Sequence, residues 1–261
     1  MTPADDYRDA AQWFAARDRV LVATDFDGVL SPLVHDPSKA APLPGTVEDL
    51  LALAALPRTY AAVVSGRDLA TLTELTGLSG SPVTRIGSHG GESSATEGDL
   101  TLDEAQHQHL LTLTAELEEL CAGLPDGAYL EHKPTAVVLH TRRMEDGTAD
   151  EAEGAALELA ARHTGLHVLH GKQVVEVSVH QADKGTALVA LRDAVGASHV
   201  AYFGDDVTDE HAFRALGEDD LTVKIGDGDT AAQFRLASPQ DAAEALALLR
   251  ELRERHATDA G

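Results

Sequence analysis

The sequence predicts a doubly wound α/β fold, a Rossmann-like parallel sheet into which a smaller α+β domain is inserted. Three observations carry that reading. Short apolar runs alternate with helical leucine and alanine patterns before residue 98 and again after residue 181, the rhythm of strand–helix–strand units around a parallel sheet. Acidic, glycine-bearing turns follow several of those runs, at the carboxyl ends of strands where open sheets of this kind bind ligands. The interval between has a different texture, two amphipathic helices and two pairs of short strand-like runs. We therefore expect residues 1–98 and 181–261 to form one domain and residues 99–180 to be the insert.

Taken in order, Val20–Thr24 is a short apolar run stopped by Asp-Phe-Asp-Gly, a buried strand entering a turn. Pro44, Thr46 and Glu48 open a helix of leucines and alanines that ends before Pro57. Tyr60–Val64 is a second buried strand closed by Ser-Gly, Arg67–Thr76 carries leucines at helical spacing, and Val83–Ile86 is a third strand. In the insert, Leu102–Cys121 is a long amphipathic helix, followed by strands at Tyr129–Glu131 and Ala136–Thr141. A helix at Ala149–His163 and strands at Leu166–Leu169 and Val174–Val179 complete an α-β-β-α-β-β order, which predicts a small antiparallel sheet backed by two helices. The alternation then resumes with a helix at Gly185–Val195, a strand at Val200–Phe203, a helix at Glu210–Leu216 and a strand at Leu221–Ile225.

A chain of 261 residues with 43% apolar side chains can bury a core without staples, and its single cysteine, Cys121, allows no internal disulfide. No apolar run approaches the ~20 residues of a membrane span. Met1–Arg19 lacks the basic-then-apolar order of a signal peptide. A soluble, cytoplasmic protein is the expectation, with a monomer as the default. Charge is the outlier, since 20 basic residues against 44 acidic ones give a net −24. Such a field repels nucleic acid and anionic membranes, so neither is expected as a partner. Only five lysines occur, at 39, 133, 172, 184 and 224. An anionic substrate would need local cations to overcome the global field, which makes each lysine worth locating.

Four short motifs carry chemistry. Asp25-Phe26-Asp27-Gly28 follows the first strand, and two carboxylates held so close repel unless a cation lies between them or one carries a proton. A hard cation such as Mg²⁺ fits oxygen ligands of this kind, although an Asp-Gly turn with incidental acids is the bland alternative. Ser65-Gly66-Arg67 follows the second strand, where a hydroxyl and a backbone N–H suit a phosphate oxygen, or where the serine simply caps a helix. Asp183-Lys184-Gly185-Thr186 opens a helix and offers Lys184 as a phosphate clamp, or as a surface lysine. Gly204-Asp205-Asp206-Val207-Thr208-Asp209-Glu210 follows another strand and crowds its acids as a metal site or an acidic helix start does. All four fall at strand ends or the helix starts beyond them, where one crevice could collect them.

That ordered set resembles the four motifs of the haloacid-dehalogenase superfamily of phosphatases, and more closely the trehalose-phosphatase family. The similarity extends to Gly87-Ser88-His89-Gly90-Gly91-Glu92, Glu131-His132-Lys133-Pro134, His140-Thr141-Arg142 and Gly171-Lys172-Gln173-Val174-Val175-Glu176. It spans about Leu21 to Ile225, and departs where the family usually has threonine and this chain has Val29.

The resemblance implies a haloacid-dehalogenase core with an inserted cap domain, and Mg²⁺-dependent hydrolysis of trehalose 6-phosphate through an aspartyl-phosphate. Asp25 would be the nucleophile and Asp27 the acid and then base, with Ser65 and Lys184 holding phosphate oxygens. Asp25, the Asp27 backbone carbonyl and Asp205 would ligate the metal. Asp206 and Asp209 would serve as a further ligand or an outer support. Phe26, Gly66, Arg67 and His89, with Asp25, Asp27 and Ser65, would also contact the substrate. Glu131, Lys133, Arg142, Lys172 and Glu176 would bind the sugar from a cap that closes over the site. Charged strand edges that need only solvation are the bland alternative for the cap acids.

Rival motifs fail. Gly165–Lys172 has the wrong glycine spacing for a P-loop and is followed by Gln173. Gly226-Asp227-Gly228 lacks the matching acid of a dinucleotide site. His167 and His170, with one cysteine in the whole chain, do not make a structural zinc site. Of thirteen histidines only His89 and His132 stand out, by the loops they occupy. A phosphatase of the same fold for another sugar phosphate, such as mannosyl-phosphoglycerate or sucrose phosphate, would share the four motifs and differ only in the cap. A non-catalytic phospho-accepting module would not need the intact Asp27.

Overall fold

The computed structural model describes residues 3–95, 102, 104–133, 135–171, 173–179 and 183–259. The chain separates into two compact units, Met1–Glu97 with Ala182–Gly261, and Gly98–Gln181. The crossings near Gly98 and Gln181, and Lys172, lie outside the described residues.

The first unit is built on a seven-stranded sheet. In chain order its strands are β1 (Val20–Thr24), β2 (Thr59–Val64), β3 (Thr84–Gly87), β4 (Glu92–Ser93), β9 (His199–Gly204), β10 (Leu221–Ile225) and β11 (Phe234–Leu236). Their spatial order is β11-β10-β9-β1-β2-β3-β4. All neighbours are parallel except β3 and β4. β1 is central, with Val20 opposite Thr59 on one side and His199 on the other.

The continuous apolar character of these strands has a direct cause. Val20 and Val22 enter one core with Ala61, Val63, Ala201 and Phe203, while Leu21 and Ala23 enter the opposite core with Ala62, Val64, Val200 and Tyr202. Both faces are covered, so alternation between apolar and polar never appears. On the first face lie α1 (Pro3–Ala15), α2 (Thr46–Ala55), α3 (Leu69–Thr76) and α8 (Pro239–Asp259). On the second lie α6 (Lys184–Val195) and α7 (Asp209–Ala215).

Two long helices escape the sequence reading. α1 buries Tyr7, Ala11 and Phe14, and α8 buries Ala242, Ala245, Leu246, Leu249 and Arg253. Both stripes have helical spacing. Alanine and charge blur the face of α8, whereas that of α1 is pronounced and is passed over because its acids, bases and alanines are weighed only against a signal peptide. Tyr7 Oη donates to the Ala245 carbonyl at 3.1 Å, tying the two helices together. The expected helix at Arg67 begins two residues later, at Leu69, because the Asp68 carboxylate accepts from Thr71 N–H at 2.8 Å and is the cap. Ser65 is therefore not the helix cap.

The second unit holds α4 (Glu104–Ala122), β5 (Tyr129–His132), β6 (Ala136–His140), α5 (Asp146–Ala160), β7 (His167–Gly171) and β8 (Val174–Ser178). Its antiparallel sheet has the order β5-β6-β8-β7. Leu113 and Leu117 of α4 and Ala156 and Leu159 of α5 pack on Val137, Leu139, Val175 and Val177. The alternate residues point the other way. Register aligns Glu131, Val138, Glu176 and Leu169 as one row across that opposite face.

Arg253 holds the far end of the first unit. Its guanidinium donates to Thr59 Oγ1 at 2.8 Å, to the carbonyls of Ala15 at 2.8 Å and Asp18 at 3.0 Å, and to that of Arg17. Methionine fills similar volume but strands these acceptors. Arg253→Met is expected to lower the unfolding free energy by about 2–4 kcal/mol, read from urea denaturation.

Candidate active site

The carboxyl ends of β1, β2 and β9 meet in one cleft, about 440 Å³ in volume, lined among others by Asp25, Asp27, Ser65, Arg67, Lys184 and Asp206. Asp25 extends the β1 ladder by one residue, its N–H donating to the Phe203 carbonyl at 2.8 Å. One carboxylate oxygen accepts from Phe26 N–H at 2.6 Å and the other pairs with Lys184 Nζ at 2.8 Å. Burial pushes the Asp25 carboxyl up, and the Lys184 ammonium opposes that shift. Burial in turn disfavours the Lys184 charge, yet Asp25, Asp209 and Asp206 outweigh it and raise that ammonium above its ordinary range.

Asp209 is the anchor beneath this pair. Its Oδ1 accepts from Lys184 Nζ at 2.8 Å and Tyr202 Oη at 2.6 Å. Its Oδ2 accepts from the N–H groups of Asp205 at 2.8 Å and Asp206 at 3.0 Å. Four bonds occupy both oxygens, so Asp209 organises the loop. Asp206 Oδ1 accepts from Thr208 N–H at 2.8 Å, Thr208 Oγ1 at 2.7 Å and Asp209 N–H at 3.1 Å. Gly28 lies at φ +74° directly against Asp205, where a Cβ would fall inside that carboxylate. Only glycine lets the first and fourth motifs approach this closely.

Carboxylate oxygens of Asp25, Asp205, Asp206 and Asp209 all lie within 4.8 Å of one another. The donor set is hard oxygen, as a cation such as Mg²⁺ requires. The crowding has an electrostatic signature, for burial and the charges of Asp209 and Asp206 push the Asp205 carboxyl up to about 6. A divalent cation would relieve that repulsion, so the residues fit one. Asp27 is not in this group. Its two oxygens accept from Arg67 Nε at 2.7 Å and Nη2 at 2.8 Å, and the guanidinium carbon lies 5.4 Å from the centre of the Phe26 ring. Arg67, read as a phosphate-end residue, thus grips the neighbouring acid.

Ser65 is buried, its Oγ accepting from Arg67 N–H at 3.2 Å. Its carbonyl accepts from His89 N–H at 2.9 Å, which brings His89 to the cleft wall over Gly66, where a Cβ would meet the imidazole ring. Ser88 and His89 are both left-handed, at φ 48° and 55°. Glu92 secures that turn by accepting from Ser88 Oγ at 2.6 Å and Leu69 N–H at 3.0 Å. A non-glycine pair in this conformation persists only under such constraint.

In the second unit the sugar-end candidates form two pairs. Lys133 Nζ meets Glu176 Oε2 at 2.7 Å, and His140 Nε2 meets Glu131 Oε2 at 2.8 Å. His140 also stacks on Tyr129, centroids 4.5 Å apart. Glu131 stands on an edge strand, but Glu176 is on β8, between β6 and β7. Edge solvation therefore does not account for Glu176. Arg142 is exposed in the turn after β6. His132 faces Glu118 of α4, 3.7 Å away, and joins neither pair.

Lys224, one of the five lysines worth locating but assigned to no motif, and Tyr202, which no motif includes, both act at the site. Both are polar residues inside strands otherwise read as apolar. A lysine in a buried run is the signal that could have found the first.

The parallel sheet, the inserted unit and the acid–lysine cluster at its strand ends define a core of the haloacid-dehalogenase type. The trehalose-phosphatase family model matches residues 23–240, and the chain belongs to that family. The trehalose-phosphate phosphatase of Mycobacterium tuberculosis (strain H37Rv) is 38% identical over 245 residues, covering 88% of this chain and 61% of that protein. That of Mycobacterium marinum is 36% identical, with coverage of 87% and 60%. The chain thus spans under two thirds of the length of these relatives. Among solved structures, trehalose-6-phosphate phosphatase from Aspergillus fumigatus superposes with a TM-score of 0.69 at 25% identity, covering 94% of this chain and 97% of that one. Among the described residues no helix is long and apolar enough to cross a membrane.

A carboxyl that titrates near 6 must lose its proton to bind a cation. Because Asp205 is raised to about 6, protons should compete with Mg²⁺ below that pH. Apparent Mg²⁺ affinity is expected to be about tenfold weaker at pH 5 than at pH 7. Calorimetric titration in buffers of different ionisation enthalpy would read both the affinity and the proton released.

Proposed function

We propose that this protein hydrolyses trehalose 6-phosphate to trehalose and inorganic phosphate through a phosphorylated Asp25. One observation carries the reading, in a chain of this family: the Asp25 carboxylate, at the end of the central strand, is held by Lys184 at 2.8 Å beside the Asp205–Asp206 acids. A carboxylate needs no base to activate it, but it must approach a dianion. Asp25, Asp205, Asp206 and the Asp27 carbonyl would hold Mg²⁺, which when bound offsets that repulsion.

Asp25 attacks phosphorus, and the bond from phosphorus to the sugar oxygen breaks. Asp27 gives that oxygen a proton. Asp27 then takes a proton from water, which attacks phosphorus and releases Asp25 with inorganic phosphate. Both Asp27 oxygens accept from Arg67, an arrangement suited to the base step. The acid step requires the proton-bearing oxygen to leave the Arg67 fork. Ser65 and Lys184 hold phosphate oxygens, and charge on those oxygens is what a fixed ammonium stabilises in transit. Gly66 and His89 shape the same end.

The sugar hydroxyls are assigned to Glu131, Lys133 and Glu176, and further to Arg142 and Lys172. The reading carries with it a free sugar phosphate as partner and the cytoplasm as compartment. A phosphate-release screen over a panel of sugar phosphates tests the substrate, with Asp25→Asn as the blank. Highest kcat/KM on trehalose 6-phosphate is expected. Preference for another member would keep the chemistry and reject the named sugar.

Sugar recognition and chemistry separate in a second test. A hydrogen bond to a charged group is worth roughly 1.5–3 kcal/mol, or about one to two decades in kcat/KM. Glu131→Ala and Lys133→Ala should lose that much on trehalose 6-phosphate and far less on an aryl phosphate. Lys184→Ala should depress both. Equal loss on both substrates in the Glu131 and Lys133 variants would make those residues structural.

A further inference from the structure

Lys224 is the one lysine of the buried strand β10, 4% exposed, with its neighbours Val223 and Ile225 packed in the first core. It stands opposite Gly204, the residue before Asp205, in the parallel register of β9 and β10. Among the described residues its ammonium is hydrogen-bonded to the Asp205 carbonyl, not to a carboxylate. Burying an ammonium costs far more than burying the apolar side chain that strand positions otherwise take here. Packing therefore gives no reason for a lysine at this position.

The charge inventory supplies a reason. Asp25, Asp205, Asp206 and Asp209 are four carboxylates in one cluster, and Lys184 and Lys224 are the two buried lysines that act on it. With all four carboxylates ionised, as cation binding requires, two negative charges remain, the complement of one divalent cation. The two lysines differ in what they touch. Lys184 grips carboxylate oxygens of Asp25 and Asp209, whereas Lys224 grips the backbone at Asp205 and leaves that carboxylate for another partner. With Asp209 holding the Asp205 N–H at 2.8 Å, the residue is fixed from both sides of its peptide backbone.

We propose that Lys224 is a positioning residue for the cation site, its ammonium fixing the Asp205 carbonyl and thereby aiming the Asp205 carboxylate into the acid cluster. The inference rests on the reading of that cluster as a Mg²⁺ site. It has a sign that separates it from a general electrostatic role. A positive charge near a cation site repels the cation, so deleting Lys224 on Coulombic grounds alone should tighten Mg²⁺ binding. Loss of positioning should weaken it, and removing a residue that orients a metal ligand typically costs 10- to 100-fold in affinity.

The experiment is calorimetric titration of Mg²⁺ into the full chain without substrate, beside thermal melting with and without Mg²⁺. Lys224→Met is expected to bind Mg²⁺ about 10- to 100-fold more weakly and to gain less stability from saturating Mg²⁺ than wild type. Lys224→Arg can reach the same carbonyl and is expected to stay within about threefold of wild type. If the methionine variant does not fold, Lys224→Gln replaces it. Its amide is too short for the carbonyl, so the same weakening is expected. Unchanged or tighter Mg²⁺ binding by a folded Met or Gln variant overturns the proposal. So does an arginine variant as weak as methionine. A wild type that binds Mg²⁺ and loses it in Lys224→Met, yet releases no phosphate from trehalose 6-phosphate, would uphold the inference and reject the substrate.

Discussion

The ion pairs that Lys184 makes with Asp25 and Asp209 organise everything around them. Lys184 is 1% exposed, and its ammonium touches both carboxylates at 2.8 Å. An unpaired charge at that depth would be prohibitively costly, and two carboxylates brought so near would otherwise repel. Each partner makes the others tolerable. Helix α6 contributes by starting at this lysine, with Asp183 and Thr186 closing its first turn around their backbone groups. The sheet contributes by delivering Asp25 from β1, while β9 leads through a short loop to Asp209 at the start of α7. Tyr202, fully buried in β9, adds a hydroxyl that completes the bonding of Asp209.

From that centre the electrostatics spread outward in a graded way. Asp209 spends its whole hydrogen-bonding capacity on the protein, whereas Asp205 keeps a carboxyl that resists ionisation. The net −24 of the chain makes local arrangement the deciding factor for an anionic ligand. Few cations are spent at random. Arg67 is committed to Asp27, Lys133 to Glu176 and Lys184 to the central acids.

Much of this was legible beforehand, and the reason is physical. Strands buried on both faces read as unbroken apolar runs, and motifs at their ends stand out against them, so Val20–Thr24 and the acids after it could be found together. The helix at Pro239–Asp259 could not, because alanine and charge carry most of its surface and its buried stripe is narrow, whereas Tyr7, Ala11 and Phe14 at helical spacing made Pro3–Ala15 legible in principle. Pairings also resisted reading. Nothing local in Ser65-Gly66-Arg67 says that the arginine reaches back forty residues to Asp27. Likewise, Lys224 acts on a loop nineteen residues earlier. Charge alone nominates such residues, and only the sheet register supplies their partners. The serine expected at a helix start is displaced from it by Asp68, whose shorter reach to Thr71 N–H makes the better cap.

The pairing of β1 with β9 has a consequence for how the molecule comes into being. Val20 and His199 are neighbours in the sheet but are separated by the entire second unit along the chain. On the ribosome, Asp25 emerges long before Lys184, and both precede Asp209. The central strand must wait, solvated and incomplete, for a partner that is translated late, and contacts so distant in sequence form slowly. The inserted unit, whose helices and hairpins are local, can meanwhile assemble by itself. Birth order thus runs opposite to dependence: the unit that holds Asp25 begins first and finishes last.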